Sequence, residues 1–155
     1  MLRNLMKTSA FLAGIAALTA CGSSSSSSLF DKTFEPAKGQ AAVAITMTEV
    51  KGYWESKDNA DGPIRIKIED KLFTAALKCE GIKAVAQSSA NSTLDTKAET
   101  ITLSEELSDS TKSGDDSCEI EIPKGSKFSY TLFANALQID FGGVQYTFAK
   151  LSDLP

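Results

Sequence analysis

The stretch Leu137-Gln138-Ile139-Asp140-Phe141-Gly142-Gly143-Val144-Gln145-Tyr146-Thr147-Phe148 decides the fold class. Apolar and polar residues alternate on both sides of a glycine pair. A period of two sends every second side chain to one face of a strand. The glycines accept the positive φ that a tight hairpin turn demands. The segment therefore reads as two antiparallel strands with one apolar and one wet face.

The same period extends upstream. Phe128, Tyr130 and Leu132 alternate with Ser129 and Thr131. Cys118, Ile120 and Ile122 alternate with Glu119 and Glu121. Ile64, Ile66 and Ile68 alternate with Arg65, Lys67 and Glu69. Weaker strands are expected at 42–48, 52–57, 72–79, 81–88 and 99–104. Turns are expected at Glu69-Asp70-Lys71, at Glu80-Gly81 and around Asn135. No 3.6-residue period appears after residue 40. About eight to ten short strands at near-regular spacing predict an all-β domain over 41–155, built as a small antiparallel up-and-down barrel. Consecutive hairpins favour a meander, and closure removes exposed strand edges.

The N-terminal segment has a different character. Met1 to Lys7 carries Arg3, Lys7 and no acid, and Thr8 to Ala20 is small and apolar. This suits a helical signal peptide over 1–20 and is too short for a membrane span. It ends Leu18-Thr19-Ala20-Cys21, which resembles the lipobox of bacterial lipoproteins. That resemblance implies cleavage between Ala20 and Cys21, a diacylglycerol thioether on Cys21 and acylation of the new amine, a palmitate-type anchor. Several acyl chains give stable anchoring where one would be marginal. Gly22 follows the cysteine, which implies sorting to the outer rather than the inner membrane of a cell envelope with a periplasm. Ser23 to Ser28 is an unbroken serine run, so 21–40 is expected to be a disordered tether.

Removing Cys21 leaves Cys79 and Cys118. An even pair in an oxidising compartment is expected to form a disulfide. The alternatives, a redox dithiol or half a metal site, would call for Cys-x-x-Cys spacing or further ligands.

Composition excludes several functions. The 155-residue chain contains no histidine, which removes the commonest general base and metal ligand. No catalytic residue, metal ligand or cofactor is expected, and the protein is not expected to be an enzyme. Cleavage would remove Arg3 and Lys7 from 16 cations and none of 20 acids, leaving 14 − 20 = −6. Such a domain is unsuited to nucleic acid, whose phosphates are bound by clustered Lys and Arg. Asp58-Asn59-Ala60-Asp61-Gly62 lacks the alternate-position ligands of a calcium loop and reads as a polar turn. The acidic stretch Glu105 to Ser117 reads as a solvated connection.

Gly52-Tyr53-Trp54 is similar to the Gly-x-Trp that opens the first strand of lipocalins, and 50–151 resembles compact bacterial lipocalin-like lipoproteins in layout. The resemblance implies a basic residue covering the Trp, for which Lys150 is the candidate. The second lipocalin motif, an aromatic-rich Thr-Asp-Tyr turn, has no counterpart. The family would imply a membrane-anchored, non-catalytic module for a small apolar ligand. Trp54, Phe73, Phe128, Tyr130, Phe141, Tyr146 and Phe148 would then line the site. The alternative is an envelope interaction or structural protein, or an inhibitor, whose barrel is filled by these same side chains.

Overall fold

The computed structural model describes residues 27–32, 49–133 and 136–151. The expected signal peptide, Ala20, Cys21, the strand expected at 42–48 and the turn at Asn135 lie outside the described residues.

Among the described residues ten strands follow one another: β1 (Gly52–Ser56), β2 (Ile64–Ile68), β3 (Leu72–Cys79), β4 (Ala84–Asp95), β5 (Thr100–Leu103), β6 (Leu107–Ser113), β7 (Asp116–Ile122), β8 (Lys127–Leu132), β9 (Ala136–Phe141) and β10 (Val144–Leu151). Eight form a closed antiparallel barrel in the order β1-β2-β3-β4-β5-β8-β9-β10, with β10 returning to β1. The all-β barrel architecture is as expected. One departure from a pure meander is the β6–β7 hairpin, a separate two-stranded sheet between β5 and β8.

Alternation builds the wall. Ile64, Ile66 and Ile68 pair with Leu77, Ala75 and Phe73 on the inner face. Ala86 and Ala90 continue that face opposite Leu77 and Phe73. Leu137, Ile139 and Phe141 pair with Phe148, Tyr146 and Val144. All but Val144 are buried. Each fully buried large apolar side chain contributes about 1.5–3 kcal/mol. The Gly142-Gly143 turn has φ of 62° and 89°, the doubly positive pattern of a primed hairpin turn.

The acidic stretch expected to be a solvated connection is instead mostly hairpin, and its pairing runs from Leu107↔Ile122 to Ser113↔Asp116. β6 lies beside β4, where short β5 no longer covers it. Side chains there satisfy the β4 backbone. Gln87 N–H donates to Asp109 Oδ2 at 2.8 Å, and Asn91 N–H donates to Glu105 Oε2 at 3.4 Å. Thr111 Oγ1 donates to Val85 C=O at 3.2 Å. A strand edge that would otherwise stand open is thereby occupied.

Candidate functional site

Trp54, in β1, is wholly buried, and its indole Nε1–H donates to the Val50 carbonyl at 2.8 Å. Its cross-strand partner in β10 is Lys150. The Lys150 amine lies 4.6 Å from the centre of the Trp54 ring and donates to the Lys51 carbonyl. A cation over an indole face is attracted by the ring quadrupole. The residue marked as the candidate cover for the Trp thus occupies that place.

The aromatic residues expected to line a site do meet one another. Phe73 lies 6.0 Å from Phe128, Phe128 lies 4.6 Å from Phe141, and Phe141 meets Tyr146 edge-on at 5.5 Å between ring centres. β4 and β5 stand between β3 and β8 in the wall, so Phe73 and Phe128 touch through the interior. Phe148 is fully buried opposite Leu137. Tyr130, paired with Ile139, is buried too. Burial, followed by the carboxylates of Glu99 and Asp95, raises the Tyr130 hydroxyl above its ordinary pKa of 10.0.

Cys79 and Cys118 are disulfide-bonded, with Cα atoms 5.8 Å apart, joining the end of β3 to β7. Cys118, Ile120, Ile122 and Leu107 give the hairpin a buried side that joins the barrel core. The pairing expected from cysteine count is present, and its structural effect is to fix the hairpin against the barrel.

On the outer wall, an open groove of about 560 Å³ runs among Phe30, Lys57, Pro63, Arg65 and Lys78. Phe30 brings to its border the 28–32 segment, which was expected to be plain tether through residue 40. Arg65 links this segment to the wall and donates to Glu55 Oε2 at 2.8 Å. Nothing in the alternation pattern distinguishes Arg65 from any other outward-facing strand cation. Among the described residues, no three His, Cys, Asp or Glu side chains converge as a metal site. The Asp58–Gly62 stretch is a loop and turn, with Asn59 Nδ2 donating to Gly62 C=O at 3.2 Å.

Compared with protein-family models, with curated proteins and with solved structures, the chain matches none.

Proposed function

We propose that this is a lipid-anchored, non-catalytic envelope protein that acts through its outer surface, its barrel serving as a filled scaffold. The observation that carries this reading is the contact of Phe73 and Phe128 across the interior, extended through Phe141 to Tyr146. Packed side chains are dense, and a ligand of any size would have to displace these rings. The absence of histidine from the whole sequence supports a role without acid–base chemistry. The anchor rests on the lipobox-like Leu18–Cys21 and the serine run after it.

A second reading, an apolar-ligand carrier, is favoured by one detail. Phe141 and Tyr146 are each 7% exposed, while Phe73 and Phe148 are sealed, so a small molecule would enter beside the former pair. Native mass spectrometry of gently purified protein separates the readings. A mass equal to the polypeptide with its covalent lipid supports the surface role. A stoichiometric bound apolar molecule overturns it in favour of the carrier. Cys21→Ala is expected to move the protein from the membrane fraction to the soluble one, and continued membrane retention would refute the anchor.

A further inference from the structure

The β6–β7 hairpin has two outer edges, and they differ. The β6 edge lies beside β4, whose backbone Asp109 and Thr111 engage. Among the described residues β7 has one strand neighbour, β6, with which every position from Asp116 to Ile122 is paired. In an antiparallel pair every second residue directs its N–H and C=O away from the partner. Among the described residues no other hydrogen bond reaches these groups of β7. The strand is also held in place. Cys118, Ile120 and Ile122 are buried on its barrel side, and the bond to Cys79 ties it to β3. Its other side reaches solvent through Asp116 and Glu121, which are exposed, and Glu119, which is half-buried.

Charge decides what such an edge can accept. Residues 105–122 carry seven acids and one lysine, a net charge of −6, whereas the whole chain carries −4. The excess negative charge of the protein is therefore concentrated on the hairpin and its flanks. Among the described residues none of these seven acids takes part in a salt bridge. Glu119 and Glu121 flank Ile120 and project from the solvent side of β7, where Ser110 Oγ donates to Glu119 Oε1 at 3.2 Å. A second copy of β7 paired about Ile120 would set Glu119 against Glu121, and like charges directly opposite are destabilising. The edge thus discourages self-association and favours a strand of opposite charge.

We propose that the β7 edge is a docking site for an extended basic segment of another envelope protein, which adds to the hairpin as a third strand. This names a partner for the surface role proposed above and rests on that reading. Main-chain hydrogen bonds hold the added strand, and its alternate side chains supply the specificity. Lysines or arginines two residues apart face Glu119 and Glu121. The residue between them falls on the barrel side, beside Ile120, and is apolar. The recognised pattern is therefore basic, apolar, basic. Because the disulfide and the buried face already order β7, the ordering cost of docking falls on the incoming segment.

The test uses the full-length protein with its disulfide intact, and a capped peptide of alternating lysine and valine matched to β7 in length. Alternate β7 amides should exchange hydrogen fast in the free protein and slow at least tenfold when the peptide binds. Glu119→Gln/Glu121→Gln should weaken binding about fivefold at an unchanged denaturation midpoint. A peptide of the same composition with its lysines in one block, and an alternating peptide N-methylated along its backbone, should not protect β7. Block-ordered peptide that protects β7 equally would mean charge alone and overturns the proposal. So do unprotected β7 amides, parent-like affinity in the double variant, and β7 amides that are all slow before peptide is added. A dimer that protects β7 on its own makes a second copy the occupant and likewise overturns it. The surface role fails separately: a stoichiometric apolar molecule in native mass spectra refutes the filled scaffold and leaves the β7 result standing.

Discussion

The amine of Lys150 occupies the space where a side chain on Gly52 would begin: a β-carbon built on Gly52 would lie 2.6 Å from Lys150 Nζ. Gly52 also has φ of 118°, a conformation that L side chains rarely adopt. The glycine therefore both permits the backbone path into β1 and leaves room for the cation over Trp54. Gly52→Ala should move Lys150 off the indole and cost about 1–3 kcal/mol. A shifted Trp54 emission together with a lower denaturant midpoint would show it. Parent-like emission and midpoint would count against this account of Gly52.

The disulfide should contribute stability that grows with the logarithm of the loop it closes. Cys79 and Cys118 are separated by 39 positions. The chain-entropy treatment gives about 4 kcal/mol for such a loop. The double variant Cys79→Ala/Cys118→Ala should lose up to that amount in equilibrium unfolding. Hydrogen exchange should rise first in β6 and β7, which the bond fixes to β3.

Ser92 offers a change in the opposite direction. Its side chain is buried on the wall opposite Leu103, and its Oγ has no hydrogen-bond partner among the described residues. A buried hydroxyl without a partner pays its desolvation in full. Ser92→Ala is expected to stabilise the fold by about 1 kcal/mol. A lower midpoint in chemical denaturation would mean that the hydroxyl has a favourable role.

Tyr130 makes stability depend on alkaline pH. Burial chiefly, then Glu99 and Asp95, raise its hydroxyl above 10.0. The folded protein keeps that proton at pH values where the unfolded chain has released it. This contribution is present below pH 10 and is lost as pH rises from there through the folded value. Tyr130→Phe removes the group, so its stability should fall less steeply than the parent's above pH 10. Parallel curves would refute the assignment. Lys67, whose pKa is raised first by its bond to Glu69, adds a decline of the same sign that both proteins share.

Strands with strict alternation were legible in the sequence because one wet and one buried face leave a period of two. β2, β8, β9 and β10 are of this kind. β6 was not legible. Leu107-Ser-Asp-Ser-Thr-Lys-Ser113 has one apolar residue, and its side toward β4 works through Asp109 and Thr111 hydrogen bonds rather than buried carbon. The alternation predicts a strand at 81–88, whereas β4 spans Ala84–Asp95, because its inner face uses small Ala86, Ala90 and Ser92 where bulky Phe73 and Leu103 stand opposite. The 28–32 segment gave no signal, since two apolar residues after a serine run carry no period. Trp54, by contrast, was legible together with its cover at Lys150, although 96 positions separate them, from the resemblance and not from any local pattern.

That pairing of the first strand with the last sets an order of events for a chain that emerges N-terminus first. β1 meets β10 through Tyr53↔Leu151, Trp54↔Lys150 and Glu55↔Ala149. Until the final strand appears, the indole lacks its cover, and β1 and β9 each present an open edge. Local hairpins such as β2–β3 and β3–β4 can form early, but contacts this distant in sequence come late and slowly. Over that interval the nascent polypeptide is most exposed to mispairing with its neighbours. A C-terminal truncation of ten residues would therefore leave an aggregation-prone chain rather than a slightly smaller protein.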